Sequence, residues 1–156
     1  MGSVNHLLLG IGNILMQDEG VGVSLVNYIA EKKMLPQNID IVDGGTGGMH
    51  LLEYFEHYSK IYLVDSTIDG KPKGTLTILH PKFSSDYPKT LTAHDIGLKD
   101  LLDITYLRNT SPDVTLFTIS ISEDIPSGVG LSEELDRLVP ELAEKIVSVI
   151  LSEWGQ

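Results

Sequence analysis

The sequence contains no cysteine among its 156 residues. A thiol nucleophile, a disulfide, a cysteine-ligated zinc ion and an iron–sulfur cluster are therefore excluded. Basic residues are also scarce, because 11 Lys and Arg stand against 22 Asp and Glu, which gives a formal net charge of −11. Nucleic acids and anionic membrane surfaces are bound through basic side chains. The composition therefore argues against both as partners.

Long apolar runs are missing as well. No stretch of the sequence approaches the roughly 20 apolar residues that span a bilayer. The first residues, Met1–His6, lack the basic start and the apolar run of a signal peptide. We therefore expect a cytoplasmic protein with no membrane association. The length suits a single domain over residues 1–156, and a soluble acidic domain is expected to be a monomer.

What the sequence does contain is an alternation of short apolar runs with helical periodicity, which predicts an α/β fold with a mainly parallel sheet. The turn signal Asp69-Gly70 precedes the last but one strand, so that strand is expected to be antiparallel. The predicted strands are 4–9, 39–42, 61–64, 75–79 and 114–121, and the predicted helices are 18–34, a short one ending near 58, 96–107 and 135–150.

The first strand is followed by a glycine-rich loop at residues 10–22. A dinucleotide-binding loop would place a third glycine at position 15, where Leu15 stands, so nucleotide binding is disfavoured. The loop also carries the acidic pair Asp18-Glu19. One acid is explained as the cap of the following helix. The other, flanked by glycines, is left to face a ligand.

Two more polar residues follow the same pattern. Asp65 comes directly after the strand 61–64, and His94 opens the helix 96–107. Alone, Asp65 is explained as a turn residue and His94 as a residue of a helix start. In an open α/β sheet, however, ligands gather outside the carboxyl ends of the strands. Together with Glu19 they form two carboxylates and an imidazole, a ligand set suited to a divalent transition metal with open positions.

The second strand ends in a loop that fits the same edge of the sheet. Asp43 follows the strand and can join the rim of the site. Gly44, Gly45 and Thr46 would then form a flexible loop that faces the substrate.

A second polar cluster competes with this one. His50, Glu53 and His57 are spaced by three and four residues, which places them on one face of the short helix. The apolar residues of that helix lie roughly opposite, so the polar face is expected to be solvated. His6 and His80 are interpreted as structural. Since the motifs His-Glu-x-x-His and Gly-x-Ser-x-Gly are absent from the sequence, a hydrolase would depend on Glu19, Asp65 and His94.

Four motif blocks follow one another along the sequence. They are GIGN with DEGVG at 10–22, DGGT with a glycine at 43–48, LVD at 63–65 with the glycines at 70 and 74, and His94 before Ile96-Gly97. Together these blocks resemble the [NiFe]-hydrogenase maturation endopeptidases. The family resemblance implies a three-layer α/β/α sandwich with a mixed central sheet of about five strands. It also implies that Glu19, Asp65 and His94 contact a metal.

The resemblance further implies a substrate and a reaction. Family members remove a C-terminal extension from the precursor of the hydrogenase large subunit after nickel insertion. The nickel belongs to the substrate and is held by substrate cysteines, although another divalent metal is an alternative. One carboxylate or the histidine would assist proton transfer. Ser66 departs from the family pattern, which more usually has alanine after the aspartate.

Two other functions remain open from the sequence. The same three residues would serve a nickel-binding maturation chaperone that does not cut its partner. They would also serve a protease of the same fold that acts on an unrelated protein.

Overall fold

The computed structural model describes residues 5–92, 98–124 and 127–154. This part of the chain forms a five-stranded sheet with helices on both faces. The strands are β1 (His6–Gly10), β2 (Ile39–Asp43), β3 (Lys60–Thr67), β4 (Leu76–Leu79) and β5 (Asp113–Ser120). The α-helices are α1 (Val21–Glu31), α2 (Leu52–His57), α3 (Leu98–Leu107) and α4 (Glu133–Trp154), with short 3-10 turns at Gln17–Gly20, Met49–Leu51 and Ser84–Asp86.

The sheet is mixed and mainly parallel, with the strand order β2-β1-β3-β5-β4. The first four strands in this order are parallel, and β4 is antiparallel to β5. The predicted fold class and the antiparallel direction of the strand near 75–79 are thus confirmed. The neighbour of β4 is β5, however, although the preceding turn follows β3. The connection crosses the end of β5, where the Gly74 amide donates to the Ser120 carbonyl at 2.8 Å.

Side chains alternate between the two faces of the sheet and build two separate cores. On one face Leu8, Tyr62 and Phe117 pack with residues of α1 and α4. On the other face Leu7 and Leu63 pack with residues of α2 and α3. The sheet is therefore covered on both faces, and the three-layer α/β/α sandwich is confirmed.

The glycine-rich first loop allows helix α1 to pack closely on the sheet. A Cβ atom on Gly22 would lie 2.5 Å from the carbonyl oxygens of both Ile11 and Val64. The start of α1 therefore sits directly over the end of β1 and the middle of β3. Another residue type at this position would push the helix away from the sheet.

Two element boundaries differ from the prediction near the acidic residues. The strand expected to end before Asp65 continues to Thr67, because β5 pairs with it as far as Ser120. The helix expected to start near residue 18 begins at Val21, after the 3-10 turn Gln17–Gly20. It ends at Glu31, three residues before the expected end. The 3-10 turn opens with Gln17 in the left-handed region, at a φ of 45°.

Candidate active site at the carboxyl edge of the sheet

Glu19 lies in the 3-10 turn that joins β1 to α1. Its amide donates to the Met16 carbonyl at 3.1 Å, and its own carbonyl packs against Gly12, where a Cβ atom would collide with it. The side chain of Glu19 is partly buried. The turn packs against β3, so this glutamate is held at the edge of the sheet where β1 and β3 end.

Asp18 does not cap its own helix, and that interpretation is wrong. Its two carboxylate oxygens accept from the Ser132 amide at 2.8 Å and from the Ser132 hydroxyl at 2.9 Å. Lys73 Nζ lies 3.3 Å from Asp18 Oδ2. Since Asp18 is only 4% exposed, these contacts bind the glutamate-bearing turn to the start of α4 and to the connection between β3 and β4.

Asp65 is fully buried within β3. Its Oδ1 accepts from the Ser66 amide at 2.8 Å and from the Thr92 hydroxyl at 3.0 Å. Thr92 Oγ1 also lies 2.6 Å from Ser66 Oγ. The orientation of this carboxylate is therefore set by the next residue of its own strand and by a segment 27 residues further along the chain.

The segment that carries Thr92 is fixed beside the end of β3. Thr67 and Thr90 hydroxyls lie 2.6 Å apart, and the Ile68 amide donates to the Thr90 carbonyl at 3.0 Å. Thr67 also forms an isolated antiparallel bridge with Leu91. His94, two residues beyond Thr92, lies outside the described residues.

The loop after β2 lies beside the first loop at the same edge. The Gly44 amide donates to the Gly10 carbonyl, and the Gly12 amide donates to the Gly45 carbonyl, both at 2.8 Å. The exposed carboxylate of Asp43 accepts from the Gly45 amide at 2.9 Å and from Asn27 Nδ2 at 3.2 Å. Thr46 is exposed. The loop thus lies next to the Glu19 turn, and its role toward a substrate stays a prediction.

The second polar cluster of the sequence lies on the surface. His50, in the 3-10 turn before α2, and Glu53 and His57, in α2, are exposed, which confirms the prediction of a solvated polar face. Within residues 5–92, 98–124 and 127–154, no three His, Cys, Asp or Glu side chains are grouped closely enough to hold a metal ion. The predicted metal ligands Glu19 and Asp65 belong to these ranges, whereas His94 does not.

His6 and His80 lie among structural contacts. The ring of His6 stacks on Tyr62, with centroids 6.2 Å apart. His80 Nε2 lies 3.8 Å from Glu153 Oε1. These contacts are consistent with the structural interpretation of both histidines.

Sequence reasoning missed the residues that position the acids. Thr92 could have been predicted from the sequence, because a hydroxyl side chain two residues before His94 is suited to donate a hydrogen bond to a neighbouring carboxylate. No sequence pattern indicated Lys73 and Ser132, because their contacts with Asp18 join residues 55 and 114 positions apart in sequence. Such contacts follow from the tertiary fold rather than from local spacing.

Comparison with known proteins identifies the family. The family model described as hydrogenase maturation protease matches residues 23–149. The chain belongs to the hydrogenase maturation protease family. The hydrogenase 2 maturation protease of Escherichia coli K12 is 27% identical over 146 residues, which cover 92% of this chain and 89% of that protein. The hydrogenase expression/formation protein HoxM of Azotobacter vinelandii is 30% identical over 99% of this chain and 76% of its own length.

Solved structures of the family share the fold. The hydrogenase maturating endopeptidase HybD from Escherichia coli superposes with a TM-score of 0.82 at 26% identity, over 96% of this chain and 94% of that one. The [NiFe] hydrogenase maturation protease HybD from Thermococcus kodakarensis has a TM-score of 0.72 at 20% identity, over 96% and 98% of the two chains. Across the described parts of this family member, no helix is both long and apolar enough to cross a membrane.

Proposed function

We propose that this protein is an endopeptidase that removes the C-terminal extension from a nickel-loaded precursor of a [NiFe]-hydrogenase large subunit. Membership of the hydrogenase maturation protease family carries the proposal, through the match over residues 23–149. The location of Glu19 and Asp65 supports it. Glu19 lies in the turn after β1, and Asp65 follows Val64, the residue of β3 that pairs with Gly10 at the end of β1. The carboxyl ends of parallel strands are where α/β enzymes bind their ligands. A cytoplasmic monomer fits the composition.

Glu19, Asp65 and His94 are the residues we assign to the metal that the substrate brings. Carboxylate and imidazole groups are suitable donors for a divalent transition metal. A chain without cysteine supplies only oxygen and nitrogen ligands, so the thiolates would come from the substrate. A metal bound between protein and substrate can polarise the scissile carbonyl or lower the pKa of a bound water.

The two described acids would reach the substrate differently. Glu19 is partly buried on a turn at the protein surface. Asp65 is fully buried, so it can contact a substrate only if the groups around it move when the precursor binds. The Thr92 and Ser66 contacts would hold its Oδ1 in place during that change. One of the carboxylates or His94 would move the proton in hydrolysis.

The test is cleavage of a nickel-loaded precursor, followed by mass spectrometry of its C-terminus. We expect the wild type to shorten the precursor, and Glu19→Gln, Asp65→Asn and His94→Ala each to lower the rate by about 100-fold or more. Glu31→Gln is the matched control, because Glu31 is an exposed acid at the far end of α1. Circular dichroism should show that every variant is folded.

Each part of the proposal has its own contradicting result. A wild type that binds the precursor and leaves it intact is a maturation chaperone rather than a protease. Near-normal cleavage by all three variants would refute the site assignment. Equal cleavage of a nickel-free precursor would show that the metal is not recognised. Cleavage of the nickel-free form after addition of zinc or manganese would show that another divalent metal serves.

A further inference from the structure

Three large apolar side chains are exposed beside the proposed active site. Ile14 is 50% exposed, Leu15 is 61% exposed and Val129 is 80% exposed. Large apolar groups gathered on a protein surface mark contacts with other molecules more often than scattered ones do. We call Ile14, Leu15 and Val129 the apolar rim.

The apolar rim is held in place by backbone hydrogen bonds. The Gly128 amide donates to the Leu15 carbonyl, and the Gln17 amide donates to the Gly128 carbonyl, both at 2.9 Å. These bonds form a parallel bridge between Met16 and Gly128. Leu15 precedes this bridge on one loop and Val129 follows it on the other, so the two residues flank one paired stretch of backbone.

The rim is continuous with the turn that carries Glu19. The Glu19 amide donates to the carbonyl of Met16, the residue that forms the bridge with Gly128. Ile14 packs on Gly20, where a Cβ atom would lie 2.9 Å from the Ile14 Cα. The rim therefore lies directly beside the backbone of the turn that carries Glu19.

We propose that the apolar rim is the docking surface for an apolar segment of the large-subunit precursor, next to the bond that is cut. This inference rests on the proposed function, since it assigns the precursor as the occupant. Burying apolar side chains on binding provides affinity that does not depend on the metal. The rim would thus supply binding, while Glu19, Asp65 and His94 supply the chemistry.

The test is a double variant, Leu15→Ser with Val129→Ser. Both side chains are mostly exposed, so the fold should be retained, whereas Ile14 is left intact because Gly20 packs against it. With nickel-loaded precursor we expect KM to rise at least about tenfold and kcat to change by less than about twofold. Glu19→Gln should show the opposite pattern, with lost cleavage and retained precursor binding.

Leu107→Ser is the matched control. Leu107 is 82% exposed and ends α3. Because α3 leads to β5, whose first residue is Asp113, its last residue lies near the opposite edge of the sheet. This variant should leave both KM and kcat unchanged, although it removes an apolar side chain more exposed than either member of the double variant.

The outcomes separate the inference from the proposed function. If the wild type cleaves the precursor and the double variant matches it in KM, the rim is not a docking surface while the protease assignment stands. If the wild type binds without cleaving and the double variant fails to bind, the docking surface stands and the protease assignment falls. If sedimentation shows a wild-type dimer that the double variant loses, the occupant is a second copy and the proposal is wrong.

Discussion

Two polar networks lie at opposite edges of the sheet and differ in the groups that surround their buried charged residue, Lys60 in one and Asp65 in the other. At the amino edge, Lys60 Nζ lies 2.7 Å from Thr115 Oγ1, 3.1 Å from Asp113 Oδ2 and 3.3 Å from Glu153 Oε1. At the carboxyl edge, Asp65 Oδ1 accepts from the hydroxyl of Thr92 and from a backbone amide. The amino-edge network matches a buried cation with carboxylates. At the carboxyl edge, the described donors to Asp65 Oδ1 are neutral groups that set the orientation of the carboxylate.

The difference separates stability from activity. A buried ammonium group costs several kcal/mol to desolvate, and its carboxylate partners offset that cost. Removing one partner from such a network therefore destabilises the fold. Changes around Asp65 remove neutral hydrogen bonds that cost less, but they alter the direction of a group that we assign to catalysis. We expect amino-edge variants to lose stability and carboxyl-edge variants to lose rate.

Lys60→Met should give the largest loss of stability. The variant keeps most of the side-chain volume but removes the ammonium partner of the partly buried Glu153. The buried Oε2 atom of Glu153 already has no hydrogen-bond partner among the described residues. We expect the free energy of unfolding to fall by about 3 kcal/mol, measured by urea denaturation. Cleavage at a temperature where the variant is folded should equal that of the wild type.

A second substitution tests the cause of that loss. Adding Glu153→Gln to Lys60→Met removes the unmatched carboxylate and should restore part of the stability. A loss below about 1 kcal/mol for Lys60→Met would show that this ion network behaves like a surface salt bridge. A lost cleavage rate in the folded variant would contradict the separation of the two edges.

Thr92→Val should have a smaller effect, and on rate rather than on stability. The variant removes the hydroxyl that donates to Asp65 Oδ1 at 3.0 Å and keeps the branched shape. We expect kcat to fall by about tenfold with KM unchanged, and the free energy of unfolding to fall by about 1 kcal/mol. Thr92→Ser should restore kcat, because it returns the hydroxyl.

Two controls on the same network distinguish orientation from tethering. Thr90 lies on the same segment as Thr92, and Thr90→Val breaks the contact of that segment with Thr67 of β3. Neither described hydrogen bond to Asp65 Oδ1 involves Thr90. If it lowers kcat as much as Thr92→Val, the segment acts only as a tether. Ser66→Ala keeps both described bonds to Asp65 Oδ1, since one comes from the backbone and the other from Thr92. We expect it to change kcat by less than about twofold.

Most of the fold could be predicted from the sequence because the patterns that indicate strands and helices are local. Apolar runs and helical periodicity predicted all five strands and the helices, down to the long amphipathic helix α4. Two features depended on distant contacts and were missed. The length of β3 beyond Asp65 is set by pairing with Ser120, and the position of β4 beside β5 is set by the crossing at Gly74.

The location of the candidate site residues could be predicted from the sequence only in part. Residue type and strand order were enough to place Glu19 and Asp65 at one edge, because parallel strands share the direction of their carboxyl ends. Asp18 was misassigned, since a local capping rule explained it while its real partners, Lys73 and Ser132, are far away in sequence. Spacing predicts which residues approach the site, but the groups that orient them depend on tertiary contacts.

Tyr62→Phe should have the smallest effect at neutral pH and a measurable one at alkaline pH. Tyr62 is fully buried, and its hydroxyl has no hydrogen-bond partner in the described part of the chain. Burial raises the pKa of Tyr62 from 10.0 to about 12, and the charges of Glu153 and Asp113 add to the shift. At pH 7 the variant should match the wild type within about 1 kcal/mol, because no bond is lost.

The sign of the alkaline effect follows from proton linkage. The stabilisation is complete below pH 10, where Tyr62 is protonated in both states, and it is lost as the pH rises from 10 to 12 because the unfolded chain releases the proton first. The loss is about 1.4 kcal/mol per unit of pKa difference, so Tyr62→Phe should unfold less readily than the wild type near pH 11.

Tyr58→Phe is the comparison, because Tyr58 has a pKa raised to about 12 by its hydrogen bond to Asp40 at 2.6 Å. It should already lose about 1 kcal/mol at pH 7 in urea denaturation. Identical pH profiles for Tyr62→Phe and the wild type would contradict the assignment of a raised pKa to this buried hydroxyl.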